Sequence, residues 1–551
     1  MSASDKKKLR KEQNAEFLTE RQRKEQAETK KLKIYTIVFV SIMIVVVAAV
    51  LGILAVRTIN NSGVIQKNTI AATVGDRDLN TVELSYYYID AINESYNDWY
   101  TQYQSYTDSY LEVMGLDISK PLNKQTNPET EESWAQHFVN IAIDNAKEVE
   151  ALYNEAIAND YKLPEDKQKS LDNVLKNIET YASLYGYSNA DQYLRVSYGY
   201  GADLESYKEY YTKSTIAEAY NTFHEESLSY ENKEIREYDD KDPIKFNSYT
   251  YHSCYISYTE FLQGGTKDDD GKVTYSDEDK EAARKALKEA ADKLAASKDL
   301  EELNKLAETI NVNEEGQVVV NDYTNQLYSN INAPLNEWLS DSKRKAGDIA
   351  AIPNTSTAKD EDGKETTETN GYYVVIFDSS TDNTELMDDV RHLLVKFEGG
   401  KTDETTGKTT YTDEEKKTAK TEAEKYLKEW QDGKANEDSF IELVKDHSDD
   451  SSADDGGLFE QIHPDSSYVT SFKNWATDSK REIGDVEIIE SEYGYHIMYY
   501  VGENDMSYRD YMITEELRAD EQQAWYDALL EKVITKQGNI SKLNLDLVIS
   551  D

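Results

Sequence analysis

The sequence predicts an α+β multidomain chain. It comprises an N-terminal transmembrane helix, a mainly helical domain completed by the C-terminal segment, and two α/β modules with antiparallel sheets, the first of them degenerate. Three observations predict it. Ile34 to Val56 is an uncharged run of 23 residues, close to the roughly 20 that cross the hydrocarbon as a helix. From Asn80 to about Tyr238 the pattern is helical, with polar, Gly- and Asn-containing breaks. Most of the remainder is an internal duplication of domain size, far beyond the roughly 20–50 residues of a solenoid unit.

Residues 1–33 carry 11 Lys/Arg against 6 Asp/Glu, which places this end in the cytoplasm and everything after Arg57 outside. The apolar run 34–56 exceeds the roughly 7–15 residues of a cleaved signal's core, so it reads as an uncleaved anchor. No Cys follows it to carry a lipid. A net charge of −46 overall, with +5 on residues 1–33, leaves −51 on the outer part. That field repels nucleic acid and anionic headgroups and argues against both as partners. The single Cys254 excludes an intramolecular disulfide. It sits in the alternation His252, Cys254, Ile256, which reads as a strand with a buried thiol rather than a nucleophile.

Residues 57–244 form the predicted helical domain. Thr69 to Val74 reads as a strand, Gly75-Asp76 as a turn, and Asn80-x-x-Glu83 as a capping box opening a helix. From Thr69 to Tyr238 the chain holds 22 of its 42 tyrosines. Their apolar rings and polar tips suit either a peptide-holding surface or half-buried helix packing. Residues 505–551 are expected to return to this domain. A helical pattern around Trp525, Leu529 and Val533 precedes alternating Leu543, Leu545, Leu547 and Ile549, which predicts a strand beside Thr69 to Val74.

The duplication covers 245–380 and 388–504. The first copy reads YHSCYISY, GG, an insert ending GKVTYSDEDK, an Ala-rich helix, NEWLSDSKRKAGDIA and GYYVVIF; the second reads RHLLVKF, GG, GKTTYTDEEK, a helix, KNWATDSKREIGDVE and GYHIMYY. His252 precedes His392 by 140 residues and Asp341 precedes Asp478 by 137. Ser276-x-x-Asp279 and Thr412-x-x-Glu415 read as capping boxes. Ala419, Ala423, Leu427 and Trp430 recur at helical spacing and give one apolar face. The inserts KDDDGK and KTDETTGK lack the first ligand and the terminal Glu of a calcium loop and read as acidic turns.

Only the second copy keeps its histidines. It presents HLLV with His392, then KDHSDDSSADDGGLF with Asp450 and Leu458, YVTSFKNW with Tyr468 and Phe472, Gly484-Asp485, and YGYHIM with Tyr493 and His496. In this order, over Val390 to Gly502, the motifs resemble the parvulin family of peptidyl-prolyl cis/trans isomerases. That family's pattern is an HILV-like strand, a segment leading to GG-x-L, a Phe in the pocket helix and a closing GYHII strand. The resemblance implies that His392, Asp450 and His496 form the catalytic floor. It places Leu458, Tyr468 and Phe472 on the proline-ring pocket, and Tyr493 where Ser or Thr is common. The pocket-lining Met of many members is Tyr468 here.

No cofactor or metal is expected, because His392, His447, His463 and His496 lack zinc-like spacing. No serine sits in a G-x-S-x-G elbow and the only cysteine is in the other copy, which argues against hydrolysis. A plainer reading has the two histidines satisfying each other in a core without turnover. In the first copy Tyr373 replaces the second histidine, the SDD…GGL segment is missing and Leu335 stands in place of Phe472.

The order of modules resembles the PrsA-type extracellular foldases of Gram-positive bacteria and the SurA-type periplasmic chaperones. This implies a single-pass protein of the cell membrane that binds unfolded or nascent secreted polypeptides and isomerises their X-Pro bonds. A holding chaperone without turnover and a surface structural or adhesion protein are the alternatives.

Overall fold

A helix from Glu20 to Ser62 follows the basic N-terminal segment in the computed structural model. Its stretch Val38–Ser62 is long and apolar enough to cross a membrane, and none of it is buried against the protein. The structure describes residues 2–16, 20–103, 107–267, 273–310, 318–359, 365–403 and 407–549. It divides into two units, Met1–Leu228 with Glu521–Asp551, and Ser229–Asp520.

In the first unit, strand Ile70–Val74 pairs antiparallel with Arg77–Asn80 across the Gly75-Asp76 turn. Helix Thr81–Tyr103 then starts at a complete capping box. Asn80 Oδ1 accepts from the N–H groups of Val82 (2.9 Å) and Glu83 (3.1 Å), and Glu83 Oε2 accepts from Asn80 N–H (2.9 Å). Helix Trp134–Ala158 closes the core with Trp134, Phe138 and Val139 against Leu84 and Tyr88. The tyrosines divide between buried and exposed positions. Tyr86, Tyr87 and Tyr88 are buried, and the Tyr86 ring packs on Tyr198, Tyr207 and Tyr210 at 5.0–5.4 Å. Tyr100, Tyr181, Tyr185 and Tyr200 are exposed.

The C-terminal segment rejoins this unit, but the strand that completes the sheet is Thr535–Gln537, paired with Val74, Thr73 and Ala72. The expected strand at Leu543 to Ile549 is instead an extended tail. Leu543 and Ile549 are buried in the same core, and the Leu545 and Leu547 carbonyls accept from Asn123 and Leu122 N–H. Alternating leucines report a face pressed on a core, which an extended segment offers with or without a ladder. The first compact unit resumes at Glu521, inside helix Tyr508–Glu531.

The second unit holds two four-stranded antiparallel sheets of identical order. In the first module the order is Asn321–Leu327, Ser248–Ser257, Glu365–Thr381, Ile349–Lys359; in the second it is Leu458–Ile462, Leu386–Lys396, Gly494–Ser507, Val486–Glu490. Each module's long helix, Asp277–Ala295 or Asp413–Asp432, starts at its expected capping box. Ala419, Ala423 and Trp430 are buried, with Leu427 packed beside them, against Leu393, Val395 and Ile497. The acidic centres of both inserts, 268–272 and 404–406, lie outside the described residues.

The two modules share matching contacts. Arg344 Nε donates to the Trp338 carbonyl (3.1 Å) with its guanidinium 3.6 Å from the indole, and Arg481 treats Trp475 alike at 3.2 and 4.3 Å. Gly347 N–H donates to Phe377 O and Gly484 N–H to Tyr500 O, at 2.8 and 2.9 Å.

The register corrects one sequence equivalence. Ser253 pairs with Val375 as His392 pairs with Met498, and Tyr255 pairs with Tyr373 as Leu394 pairs with His496. Ser253 is therefore the counterpart of His392, and His252 corresponds to Arg391. One residue of shift turns a side chain to the opposite face. His252 there bonds Asp322 (2.6 Å) and Asp378 (3.0 Å).

Arg509 ties this unit together where the chain passes between sheets. It is 5% exposed, and its guanidinium donates to both Asp239 carboxylate oxygens, to Asn247 Oδ1 (2.9 Å) and to the carbonyls of Asp382 (2.9 Å) and Pro243 (2.6 Å). Arg509→Met strands Asp239 without its partner and should lower the stability of the second unit by about 3–5 kcal/mol. A urea titration followed by tryptophan fluorescence checks this; an unchanged midpoint contradicts it.

Candidate active site

The register between Leu386–Lys396 and Gly494–Ser507 sets His392 opposite Met498 and His496 opposite Leu394, so the histidines are diagonal neighbours on one face. Their Nδ1 atoms are 2.9 Å apart and their rings stack at 5.2 Å. Both are buried. His496 Nε2 lies 2.7 Å from Ser491 Oγ. Among the described residues His392 Nε2 has no hydrogen-bond partner, and it stands 3.5 Å from Asp450 Oδ1.

Asp450 faces His392 Nε2, which favours a proton on that nitrogen, and of the two facing Nδ1 atoms one must donate and the other accept. Burial, reinforced by His392, pushes His496 down to about 4, against an opposing pull from Asp450. Its imidazole is thus uncharged at neutral pH. His392, then the Ser452 hydroxyl and N–H, hold Asp450 well below the usual carboxylate range against its partial burial.

Asp450 is placed by capping the short turn Ser451–Asp455, accepting from Ser452 N–H (2.9 Å) and Oγ–H (2.6 Å). The chain then turns back through Gly456-Gly457, both left-handed. A Cβ on Gly457 would sit 2.2 Å from the His392 carbonyl oxygen. Its absence lets the backbones close to a 2.9 Å bond from His392 N–H to Gly457 O. Arg391 holds the same turn by donating to the Gly456 carbonyl (3.1 Å).

Aromatic rings wall this floor. Phe472, on helix Thr470–Ala476, is buried with its ring edge-on to His392 at 5.2 Å and 5.8 Å from His496. Phe459 meets His392 at 4.9 Å. Tyr468 lies 5.4 Å from both phenylalanines and, at 39% exposed, forms the mouth. Leu458 does not line this pocket: it pairs with Arg391 and shares the opposite face, whereas Phe459 pairs with Val390 on the histidine side. The sequence held the signal, since the residue two after the second glycine of GG-x-L is Phe459. Tyr493 is exposed on the turn carrying Ser491, to whose Oγ its N–H donates (3.1 Å). Ser491 also escaped the sequence reading; the clue was a hydroxyl in the tight turn before the closing strand.

Other candidates lie apart. His447 stacks on Tyr426 at 4.3 Å and His463 on Tyr508 at 3.9 Å. Among the described residues no group of three or more His, Cys, Asp or Glu side chains is placed to hold a metal ion. Burial pushes the Cys254 thiol up to about 11, which keeps it protonated. The first module offers Ser253, Leu335 and a Tyr373 whose hydroxyl accepts from Asn332 Nδ2 (3.0 Å).

Phe459, Phe472 and Tyr468 thus close over a buried histidine pair that stands beside Asp450. The family model for rotamase, the PPIC-type PPIASE domain, matches residues 392–502, and this module is a parvulin-type peptidyl-prolyl isomerase domain. The chain is similar to the solved peptidylprolyl isomerase PrsA of Bacillus anthracis, at 23% identity over 27% of this chain and 59% of that one, with a TM-score of 0.17. It is also similar to PrsA of Bacillus subtilis, at 15% identity over 76% and 92%, TM-score 0.24. A peptidyl-prolyl isomerase of Candida albicans aligns at 22% identity over 27% and 95%, TM-score 0.16. The match thus spans 59% of the Bacillus anthracis structure. No curated protein sequence matches the chain.

Two outcomes test the geometry. Gly457→Ala should cost at least the roughly 1–2 kcal/mol of a left-handed L-residue and more from the carbonyl clash, read as a lower urea midpoint for the second unit; equal midpoints contradict the close approach. Between about pH 6.5 and 4 the unfolded His496 binds a proton that the folded one refuses. Stability is therefore full above 6.5 and falls as the pH drops through that window. The melting temperature of the native chain should fall more steeply there than that of His496→Gln, and parallel curves would contradict the assignment.

Proposed function

We propose that this chain is a membrane-anchored extracytoplasmic foldase that binds unfolded secreted polypeptides and isomerises their X-Pro bonds. Amide resonance sets a barrier of about 18–20 kcal/mol, and unaided isomerisation takes tens to hundreds of seconds. The planar amide is charge-separated and the twisted one is less so. A pocket that seats the prolyl ring and withholds water therefore favours the twisted state. Phe472, Phe459 and Tyr468 hold the ring. His392, His496 and Asp450 set the field beneath it, and Tyr493 flanks the substrate backbone. The apolar helix anchors the protein with its basic tail inside the cell. The observation that carries this reading is the aromatic pocket closed on the buried histidine pair.

The test is a protease-coupled isomerisation assay of the full chain in detergent with X-Pro tetrapeptides of acidic, basic and apolar X. Losing the Phe472 ring contact removes about 1.5–3 kcal/mol of burial. Phe472→Ala should therefore slow turnover roughly 10- to 100-fold. A folded variant with an unchanged rate sinks the pocket.

A second reading, a holding chaperone, draws on the first module, where Ser253, Leu335 and Tyr373 keep the frame without the floor. It predicts that Phe472→Ala suppresses aggregation of an unfolded client as well as the native chain does. A parallel loss of both activities rules it out.

A further inference from the structure

Where the apolar helix ends, three chain segments each contribute a cation to one cavity of about 740 Å³. Arg57 and Asn61, one turn apart and so on the same face of helix Glu20–Ser62, supply one wall. Arg195 and Gln192, on helix Ala190–Tyr198, supply the second, and Lys542 in the C-terminal tail the third. Asp546 is the single carboxylate on the lining. Among the described residues none of the three cations is within salt-bridge distance of an acid, whereas nearby Lys67, Arg77 and Lys213 all are. Gln192 Oε1 already accepts from Ser188 N–H (2.9 Å), which leaves its NH2 end to donate. Two left-handed glycines bring the segments together: a Cβ on Gly63 would lie 2.0 Å from Gly201 Cα, so only bare backbones fit there.

We propose that this cavity binds the phosphate of an anionic phospholipid headgroup in the outer leaflet. The inference rests on the reading of the uncharged run 34–56 as a membrane span, which sets Arg57 and the cavity beyond it at headgroup level. Phosphate recognition needs converging, unneutralised donors, and three cations with one opposing carboxylate supply them. The net charge of −51 on the outer part opposes general adsorption to an anionic surface. It does not prevent a local site, because fields are screened beyond about 8 Å at physiological salt. Cations on the outer flank of a span also run against the usual bias toward the cytoplasmic side, which gives Arg57 a reason to be there.

The experiment uses the full chain reconstituted with equal phosphatidylglycerol and phosphatidylcholine, extracted in mild detergent and weighed by native mass spectrometry. Phosphatidylglycerol should be retained preferentially. The double variant Arg195→Gln, Lys542→Gln should weaken that retention about 30-fold, given the contribution of each basic residue near a headgroup surface. An unchanged far-UV circular dichroism spectrum and thermal midpoint certify that the first unit, which holds both residues, is folded in the variant. Equal retention of the two lipids, or retention unaffected by the double variant, overturns the proposal.

Alkaline extraction of the reconstituted vesicles separates this from the anchor itself. A chain that stays with the membrane but retains both lipids equally overturns the headgroup site alone. A chain released by alkali overturns the span and the lipid site with it. Glycerol phosphate binding lost in the double variant would then identify a soluble anion as the occupant.

Discussion

One register decides whether this protein has a site. Leu386–Lys396 and Gly494–Ser507 are paired so that His392 and His496 come to the same face as diagonal neighbours. A slip of one residue would send either of them into the helix-packed side with Leu393 and Ile497. The register is pinned from both directions. On the histidine side Val390, Met498 and Tyr500 pack with Phe472 and Trp475; on the other Leu393, Val395 and Ile497 pack with the long helix. With two buried faces there is no neutral alternative pairing. Gly457 extends the constraint to the third strand, whose approach to the His392 carbonyl tolerates no side chain.

The first module shows how little of the frame depends on the site. Strand order, the arginine stacked on tryptophan and the glycine bond to the fourth strand recur with nearly the same distances. Backbone pairing and packing on the helical face hold the sheet, and those terms do not depend on the residues at the centre of the other face. Ser253 and Tyr373 there leave the ladder intact while removing both imidazoles. The asymmetry is chemical, and the architecture is common to both copies.

Features set by neighbours in sequence were legible, and those set by distant backbone were not. The capping boxes at Asn80, Ser276 and Thr412 are local hydrogen-bonding motifs and appear where the residues put them. The histidine pair and Phe472 were readable because each sits in a motif of its own. The strand Thr535–Gln537 is three residues of Thr, Lys and Gln with no periodicity, so nothing local marks it, whereas the leucines that did alternate serve packing. Two further differences, Leu458 for Phe459 and His252 for Ser253, are single-residue offsets. Motif matching tolerates an offset of one; a pleated sheet does not, because its side-chain period is two. Ser491 carries no sequence signal beyond a turn, and its importance appears only when His496 needs a partner for Nε2.

The pairing of Val74 with Thr535 also orders events in time. The sheet of the first unit cannot be completed until the last part of the chain has been made, although its opening hairpin is among the first parts to be made after the apolar helix. The second unit has all its strands available earlier and can reach its final form while the first still waits with one sheet edge bare. Closing so distant a contact is slow, and the open edge is the part of the newborn molecule most able to pair with the wrong strand. The first unit thus passes through an interval in which it is itself an incompletely folded chain with a bare strand edge.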